Sequence, residues 1–597
     1  MQAISTSPFN LTMLRRANTW YTVKDGNWSD PAIWLSNGKR KYNTPQPSDT
    51  VYIDHNVAID VSATVCNMYV AGKLTCNTSS LIFSIAGDLQ AAGDIDLTGS
   101  NINLTLYGYN NLINSFTAGN STVTYNRSGD QNILDLSYKN LSVFGFGKKY
   151  MVSNLTLAGN LIINAFSTDN AFMECTTFDL TVNGTTSIQT ANSIAGGNFG
   201  KSGPGNLIFI GALTINSNIV FSSNITGIEL RNGGALSGFG GSLNINCPVT
   251  FSTNSQTIAG NSVNFNNTVT ISGPITLTST NSSIYFYGIV NGDNASSTLN
   301  NSGFMNLGIS TTPMAIGTFN YKNSSTSTLS YVFNGDFTLP YTTYAGLNIM
   351  GTGTKTLSGN TTIGLNLTVN NFDSGKAKLD CSTFNLTVNG TTSVNGTGGA
   401  NDSGLLAVSG TIVFVGACTI NSNNLSYASG PTLEFRNGAT LNPFGGSATI
   451  SCDINFTTNN QTFTTQGNME FAGNIILSGG ITLSNTTAST GLVATGVING
   501  SSGSDTFINT GFMNYQNTTA PMVIGKLYCN QAANTWVYGL AGSQDIQSPS
   551  DPTPGYRNLT LSGSGVKRLL GNVSVKGMYT LTSPATLNSN GFSLTNP

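Results

Sequence analysis

Apolar and polar residues alternate with period two in short stretches along most of the chain, as in residues 155–165, 206–218 and 269–279. This alternation is typical of strands that have one buried face and one face in solvent. Asn-Gly and Gly-Gly pairs interrupt the stretches at intervals of about eight to twelve residues, where tight turns are expected. The pattern therefore predicts a chain of many short strands joined by tight turns.

Long stretches of sequence occur twice, which indicates an internal duplication. Phe178–Ser187 returns as Phe384–Ser393, an offset of 206 residues. The segment GALTINSN from Gly211 returns as GACTINSN from Gly416, an offset of 205. Because the spacing is kept with slips of only a few residues, the repeat unit is about two hundred residues long.

Three equivalent stretches each begin with a tyrosine and continue into a Gly-x-Gly and a basic residue. The tyrosines are Tyr138, Tyr344 and Tyr556, and the basic residues predicted to be equivalent are Lys148, Lys355 and Lys567. The predicted divisions are an N-terminal Trp-rich cap or attachment region at 1–60, first β-coils at 61–137, β-repeat 1 at 138–343, β-repeat 2 at 344–555 and a truncated β-repeat 3 at 556–597.

The predicted fold is an all-β, elongated parallel β-solenoid (β-helix) with an internal duplication. Small turn residues recur without long loops, and Asn and Gly stand at corners that need a left-handed backbone. No helical pattern intervenes to make ordinary strand–helix–strand units. Each coil of a solenoid buries its inner face only against its neighbours, so the core runs along the stack. A row of tandem antiparallel β-sandwich domains is the alternative.

The composition supports stacked strands. Charged residues make up 8% of the chain, and its few glutamates are Glu174, Glu229, Glu434 and Glu470. Stacked strands place like residues above one another, where like charges repel, whereas Ser, Thr and Asn form hydrogen-bonded ladders. Residues of the Glu and Lys type are too scarce to build a helical domain.

The charge and hydropathy of the chain argue against two classes of partner. The formal net charge of −2 leaves no basic footprint for nucleic acid. No apolar run reaches the length of a membrane span. The first twenty residues also lack the order of a signal peptide, because Arg15 and Arg16 follow the weak apolar stretch. A surface-type composition without a secretion signal is what a virion protein released by lysis would show.

The eight cysteines are too sparse for a disulfide scaffold and are predicted to be small buried hydrophobes. Large aromatic residues gather near the start of the chain, at Trp20, Trp28 and Trp34. At the start of a stack, such residues most simply plug its open end. We favour this cap over a role in stacking on sugars.

Few residues could carry catalysis, and no enzyme, cofactor or metal site is predicted. His55 is the single histidine, and no nucleophile motif accompanies it. Glu229 and Glu434 each precede an arginine by two residues, which predicts an ion pair on one strand face instead of a general acid. Carboxylate pairs that could cleave a glycan stay open at Asp94 with Asp96 and at Asp130 with Asp135.

Exposed tyrosines are the candidates for glycan contact. Tyr107 with Tyr109, and Tyr285 with Tyr287, form Tyr-x-Tyr pairs whose rings would share one strand face. An ordinary aromatic ladder is the simpler interpretation of both pairs.

Two segments resemble known proteins. The segment Gly26–Trp34, followed by a proline and the strand Val51–Val57, resembles a module of surface and fibre proteins from Bacteroidota and their phages. The segment Gly542–Ile546 with Tyr556 and the following Arg-Asn-Leu-Thr-Leu-Ser-Gly is similar to the repeat of tail-fibre-like proteins in those phages, including crAss-like ones. Gly129–Ile133 is a variant of it, and the stretch before Tyr344 lacks the Gln-x-Ile pair.

The resemblance implies a structural virion fibre or appendage subunit, with host-surface attachment as its task. It implies other virion proteins and a host surface glycan or protein as partners, a homotrimer, and a place on the outside of the virion after assembly in the host cytoplasm. A bacterial surface adhesin and a tailspike-type polysaccharide depolymerase are the alternatives. An open stack edge invites pairing, so a partner chain is expected to cover the C-terminal end, residues 580–597.

Overall fold

The computed structural model describes residues 17–596 with several gaps, which are 41, 166–170, 191–197, 201–202, 217–219, 222, 239–240, 281–282, 310–313, 321–326, 371–375, 397–402, 423–426, 444–446, 489–490, 518–523 and 551–554. The residues on which the missing secretion signal is argued, Arg15 and Arg16, lie outside the described part, as does Pro597.

The fold is a parallel β-solenoid of about 23 turns, with 54% of the residues in strands. Within the described residues, the strand pairs are parallel except in one N-terminal hairpin, where Trp34–Ser36 pairs antiparallel with Thr19–Thr22 and with Lys39–Arg40. A single turn of 3-10 helix, Pro31–Ile33, is the only helical element in that part. The predicted solenoid is therefore confirmed, and the alternative of antiparallel sandwiches is wrong.

The period-two pattern explains the core. In Leu180–Val182 the two apolar residues are buried and Thr181 between them is half-buried on the outer face. Parallel pairing in register places Leu180 between Leu155 and Leu207 of the neighbouring coils. This inward position thus continues a row of apolar side chains, because successive coils superpose strand on strand.

The chain divides into two compact units, of which unit 1 comprises Met1–Asn300 and Met314–Phe319. Its N-terminal sheet contains Gly26–Asn27, Asn56–Ile59, Lys73–Cys76, Leu89–Asp96, Asn67–Val70, Thr50–Ile53, Thr19–Thr22, Trp34–Ser36 and Lys39–Arg40 in spatial order, with Leu112–Thr117 beside Leu89–Asp96. Its longest sheet contains Ala63–Val65, Ile82–Ile85, Asn103–Leu106, Thr122–Tyr125, Asn140–Val143, Leu161–Ala165, Thr186–Thr190, Leu213–Asn216, Gly234–Ser237, Gln256–Ala259, Thr276–Ser279, Thr298–Asn301 and Thr318–Asn320.

Three further groups of strands complete unit 1. The first contains Gln131–Ile133, Gly147–Met151, Ala171–Glu174 and Asn198–Gly200. The second contains Leu155–Leu157, Leu180–Val182, Asn206–Phe209, Gly227–Leu230, Val249–Phe251, Val269–Ile271, Val290–Gly292 and Met314–Ala315. The third contains Val220–Phe221, Leu243–Ile245, Ser262–Phe265 and Ser283–Phe286.

Unit 2 comprises Asn301–Pro313 and Asn320–Pro597. Its longest run of paired strands contains Phe304–Leu307, Thr328–Tyr331, Gly346–Ile349, Leu367–Asn370, Thr392–Asn395, Cys418–Asn421, Ala439–Asn442, Gln461–Thr465, Thr482–Asn485, Thr506–Asn509 and Lys526–Tyr528. A second sheet contains Thr343–Tyr344, Thr361–Ile363, Leu386–Val388, Gly410–Phe414, Pro431–Phe435, Asp453–Thr457, Ile475–Ser478 and Ile498–Gly500.

The remaining strands of unit 2 form four smaller sheets. The first contains Phe337–Leu339, Gly353–Leu357, Ala377–Asp380 and Gly404–Leu406. The second contains Ser447–Ile450, Asn468–Phe471, Leu492–Ala494, Phe512–Tyr515, Thr535–Tyr538, Asn558–Leu561 and Tyr579–Leu581. The third contains Gln544–Ile546, Val566–Leu569 and Thr586–Asn588, and the fourth contains Val573–Ser574 and Leu594–Thr595. The predicted domain boundaries stay predictions, since these sheets do not mark them.

Aromatic rings fill one row of the unit 2 core. Phe435 stacks between Phe414 and Phe456, with ring centroids 5.0 Å and 5.5 Å apart. At the equivalent positions of unit 1, the duplication places Phe209, Leu230 and Phe251. The row therefore accepts a leucine at its centre in one copy and a phenylalanine in the other.

Asparagine side chains at the turns bond one coil to the next. In each case Oδ1 accepts the backbone N–H of the residue at the matching turn, as in Asn67 with Asp88, Asn140 with Asn160, Asn160 with Thr185, Asn366 with Thr391, and Asn558 with Met578. This device gives the high asparagine content a structural reason, because turn N–H groups lie outside the sheets and need acceptors.

A glycine makes room for each of these amides. Gly390 precedes Thr391, and a Cβ built on it would lie 2.6 Å from Oδ1 of Asn366 and 2.6 Å from the carbonyl carbon of Leu365. Gly184 stands in the same position against Asn160 in unit 1, where a Cβ would lie 2.4 Å from Oδ1. Close approach between coils therefore requires glycine at this corner.

The last described coil exposes apolar side chains. Within the described residues, its strands Tyr579–Leu581 and Thr586–Asn588 each have a strand neighbour on one side only. Met578, Leu581 and Phe592 are exposed. The expected cover from a partner chain stays a prediction.

The cysteine prediction is confirmed. All eight cysteines are free, Cys66 is half-buried, and the other seven are buried. Burial raises the pKa of the Cys247 thiol to about 12, so this thiol is a poor nucleophile at neutral pH.

Candidate functional site

The three N-terminal tryptophans form a buried cluster. Trp20, Trp28 and Trp34 are each at most 1% exposed, and Trp34 packs edge-to-face against both of the others. Trp28 also packs edge-to-face on Phe83, which belongs to an early coil. Rings buried in this way present no face to a sugar, and their apolar surface lies against the first coils.

The Trp-x5-Trp segment folds around its own turn. Asp30 caps the short helix Pro31–Ile33 by accepting from the N–H of Ala32 at 2.8 Å. Trp34 Nε1 donates to the carbonyl of Trp28 at 3.0 Å, so both rings are fixed relative to each other. The buried carboxylate of Asp49 accepts from Trp20 Nε1 at 2.8 Å and thereby ties the cluster to the loop before Thr50–Ile53.

A surface ladder of tyrosines runs across the N-terminal sheet. Tyr52 stacks between Tyr21 and Tyr69, with ring centroids 4.9 Å and 4.7 Å apart and rings within 15° of parallel. Partial burial between these neighbours raises the pKa of Tyr52. The rings cover each other's faces, so the ladder presents ring edges and hydroxyls to solvent.

Sequence reasoning missed this ladder, although a signal was present. Tyr52 and Tyr69 each occupy the outward position of a strand between two apolar residues. Their spacing of 17 residues is one coil, and their in-register pairing is what stacks the rings.

The first predicted tyrosine pair does not share a strand face. Tyr107 and Tyr109 follow the end of Asn103–Leu106 and lie in the turn beyond it. The Tyr107 hydroxyl accepts from Asn126 Nδ2 at 3.1 Å, while Tyr109 is exposed and lies under the Arg127 guanidinium, 5.3 Å from the ring centroid. The expectation of two rings on one face was wrong here because the strand ends before the pair.

The second predicted pair does stack. The rings of Tyr285 and Tyr287 are 5.8 Å apart and within 7° of parallel. Tyr287 is exposed, and partial burial raises the pKa of its hydroxyl. The pair is available to a ligand, and its role in glycan contact stays a prediction.

Three buried lysines each lie in a similar set of oxygen acceptors. Lys149, Lys355 and Lys567 are fully buried. Lys149 Nζ donates to the carbonyls of Arg127, Gly129 and Phe146 at 3.0–3.1 Å. The corresponding acceptors are Phe333, Gly335 and Thr352 for Lys355, and Leu540, Gly542 and the side chain of Gln544 for Lys567.

The structure corrects one of the equivalences that were predicted from the sequence. Lys148 was predicted to match Lys355 and Lys567, but Lys149 is their structural equivalent. In each stretch the lysine that points inward is the second residue after the last glycine of Gly-x-Gly. Lys148 is the first residue after that glycine, and Lys149 is the second. Lys148 therefore points outward, where its Nζ lies 3.6 Å from a carboxylate oxygen of Glu174.

Backbone geometry builds the lysine cage. Gly147 has φ of +86°, and a Cβ on it would lie 2.5 Å from the carbonyl carbon of Gly129. The left-handed turn aims carbonyls inward at the ammonium group. Burial lowers the pKa of Lys149 and of Lys355 to about 8.

The carboxylates do not resemble those of a glycosidase. Arg231 Nε donates to Glu229 Oε1 at 2.8 Å, and this contact lowers the pKa of Glu229. A similar contact with Lys73, at 2.9 Å, lowers the pKa of Asp96 to about 2. A general acid needs a raised pKa, so both groups are shifted in the opposite direction.

The remaining candidate residues have the following surroundings. The carboxylate of Asp130 accepts the backbone N–H of Lys148 at 2.9 Å, while Asp94 and Asp135 are exposed. His55 Nδ1 lies 3.1 Å from the hydroxyl of Thr22. Among the described residues, no three His, Cys, Asp or Glu side chains gather to hold a metal ion. The same residues include no helix of the length and hydropathy needed to span a bilayer.

Comparisons with protein-family models, with curated proteins and with solved structures each find no match to this chain.

Proposed function

We propose that the chain is a structural subunit of a phage virion fibre or appendage that contacts the host surface. The observation that carries the proposal is the coil-to-coil bonding of uncharged side chains at the turns, exemplified by Asn366 with Thr391. A fold held by such bonds and by a continuous apolar interior depends on neither disulfides nor surface charge. Those properties suit a protein that works outside the cell at uncontrolled ionic strength.

The resemblance of Gly26–Trp34 and Gly542–Ile546 to phage and Bacteroidota fibre proteins supports the same proposal. Immunogold electron microscopy of purified particles, with antibody raised against the full chain, tests it. We expect gold on external appendages. Gold on the host envelope, with none on particles, would instead favour an adhesin.

A depolymerase is the less favoured function, because neither Asp96 nor Glu229 has the raised pKa of a proton donor. Incubating the full chain with host capsular polysaccharide and measuring the viscosity separates the two functions. A binding or structural protein leaves the viscosity unchanged, and an enzyme lowers it.

We also propose that the chain is a homotrimer whose chains meet at exposed apolar side chains. The exposed Met578, Leu581 and Phe592 support this. Sedimentation equilibrium should give three times the chain mass of 62.4 kDa. Leu581→Lys should shift the mass towards that of one chain, whereas Val408→Lys, at an exposed valine elsewhere, should not.

A further inference from the structure

A polar groove lies on the outer face of unit 2, where the turn at Asn437 meets two neighbouring strands, Gln461–Thr465 and Thr482–Asn485. The side chains and backbone around it belong to Asn437, Gly438, Asn460, Thr462, Thr482 and Ser484. Asn437, Asn460 and Thr462 are exposed, and Thr482 and Ser484 are half-buried.

The groove exists because of a glycine and a buried amide. Gly438 has φ of +87°, and a Cβ on it would lie 2.7 Å from the carbonyl oxygen of Thr462. The buried Gln461 fixes this turn: its Oε1 accepts the N–H of Gly438 at 3.0 Å, and its Nε2 donates to Phe435 O at 2.7 Å and Thr457 O at 2.8 Å. The floor is therefore rigid before any ligand arrives.

The walls offer polar groups that the described chain does not use. The side chains of Asn437, Thr462, Thr482 and Ser484 form no hydrogen bond within the described residues. Asn460 Oδ1 accepts the N–H of Thr482 at 2.7 Å, which leaves its Nδ2 as a donor towards the groove. Hydroxyls and amides that converge on a concavity are suited to a ligand rich in hydroxyl groups.

The groove is electrically neutral. None of its lining residues is charged. The adjacent Arg436 is paired with Glu434, with Nε 2.7 Å from Oε1. A charged ligand would lose its hydration here without meeting an opposite charge, so the geometry favours an uncharged one.

A strained threonine lies two residues before Asn460 in the sequence. Thr458 has φ of +73°, a left-handed conformation that is a rare outlier for a β-branched residue. Its Oγ1 lies 3.3 Å from Oγ1 of Thr457, which donates to Glu434 Oε1 at 2.8 Å. Glycine would hold this turn without strain, so the exposed hydroxyl of Thr458 is kept at a cost in stability.

Unit 1 contains the same arrangement. The residues equivalent to the six that line the unit 2 groove are Asn232, Gly233, Ser255, Thr257, Thr276 and Thr278. Gln256 repeats the buried amide, with Oε1 accepting from Gly233 N at 2.8 Å. Thr253 repeats the strain, also with φ of +73°. The duplication thus preserves the buried amide and the strained threonine, whereas the hydroxyl of Thr278 accepts from Asn300 Nδ2 at 3.3 Å.

We propose that the unit 2 groove binds an uncharged polysaccharide, with the side chains of Thr462 and Ser484 contacting sugar hydroxyls, and that the equivalent residues of unit 1 form a second site in which Thr257 makes this contact. This inference deepens the proposed attachment to a host surface by naming a ligand class. Two weak sites on one chain raise the apparent affinity for a polymer with repeating units.

An oligosaccharide array tests the proposal with the full chain. It carries neutral oligomers of glucose, mannose, galactose, rhamnose and N-acetylglucosamine, with sialylated and uronic-acid oligomers as acidic comparators. We expect binding to at least one neutral series and a loss of at least tenfold in the double variant Ser484→Lys with Thr278→Lys. The matched control is Thr419→Lys with Thr214→Lys, at outward positions of strands outside the grooves, and it should bind like the wild type.

A second double variant separates ligand contact from folding. Thr458→Gly with Thr253→Gly relieves the strain and changes no residue that lines the groove, so it should leave binding unchanged without lowering the melting temperature. Binding only to acidic oligomers, binding to none, or equal binding by the groove and control variants would overturn the proposal. The array uses isolated chain, so its result does not depend on whether the chain is found on virions.

Discussion

A buried ammonium group is costly unless oxygens surround it, and each of the three lysine cages supplies at least two backbone carbonyls. Lys355 adds a ring, with Nζ 4.6 Å from the centroid of Phe333. Phe337 takes the place that Gln131 and Gln544 hold in the other cages, since each of the three pairs in register with the lysine of the next coil. The carbonyl acceptors are therefore kept while the neighbouring side chain varies.

Lys149→Met should destabilise its turn by about 3 kcal/mol, because several carbonyls lose a charged donor and stay buried. Hydrogen exchange of residues 127–151 measures this local effect, which a global melt would dilute in a repeat protein. The neighbouring Lys148→Arg is the control and should change exchange little, since its side chain is 48% exposed and the positive charge beside Glu174 is kept. Equal effects at both positions would contradict the assignment of Lys149 to the cage.

Phe435→Leu should cost less than about 1.5 kcal/mol, because unit 1 carries Leu230 at the equivalent place between two phenylalanines. Phe435→Ala should cost about 3–5 kcal/mol, since it leaves a cavity between Phe414 and Phe456. Denaturant unfolding followed by exchange of unit 2 amides measures both. A leucine variant as unstable as the alanine variant would show that the two copies pack this row differently.

At the scale of elements, the turn glycines decide how closely coils approach. Gly390→Ala should destabilise the fold by several kcal/mol, because the new Cβ would lie 2.6 Å from backbone of the preceding coil, which cannot move aside. Gly503→Ala is the control in the same unit, where a Cβ meets nothing within 4 Å. Thermal melting compares the two, and a Gly390→Ala protein as stable as the control would refute the close-approach role.

Period-two alternation predicted the strands, and the recurring Asn and Gly turns without helical segments predicted the solenoid, since both depend on local pattern. Which residues meet between coils could not be predicted, because coil length varies along the chain. The unforeseen stacking of Tyr21 on Tyr52, 31 residues apart, follows from this. Lys148 was confused with Lys149 for a local reason, because lysine occupies both of the positions that follow Gly147. The polar groove could not be predicted for a related reason. Period-two alternation predicts that Thr462 points outward, but it does not show that Gly438 leaves a concavity beside this residue.

At the scale of the whole molecule, stability should depend on pH in a bell shape. Burial lowers the pKa of Lys149 and Lys355 from 10.5 to about 8, so between these values the unfolded chain binds more protons and stability rises with pH. Burial raises the pKa of Tyr125 from 10.0 to about 12, so above pH 10 the unfolded chain releases protons first and stability falls. The melting temperature should therefore be highest near pH 10.

Melting curves at one-unit steps from pH 7 to pH 11 measure this dependence. The double variant Lys149→Met with Lys355→Met should lose most of the rise between pH 8 and pH 10 while keeping the fall above pH 10. A wild-type melting temperature that declines steadily from pH 8 would contradict the lowered lysine pKa values.

The 206-residue offset between copies also has a consequence for the gene. Two stretches of related sequence in one chain indicate a duplication in the gene, and unequal recombination between such stretches inserts or deletes a whole copy. Because every coil packs only on the coils beside it, such an event joins equivalent coils and leaves no part of the apolar core uncovered. Lineages related to this one should therefore differ in length by whole multiples of the period, and the number of sugar-binding sites should change in step.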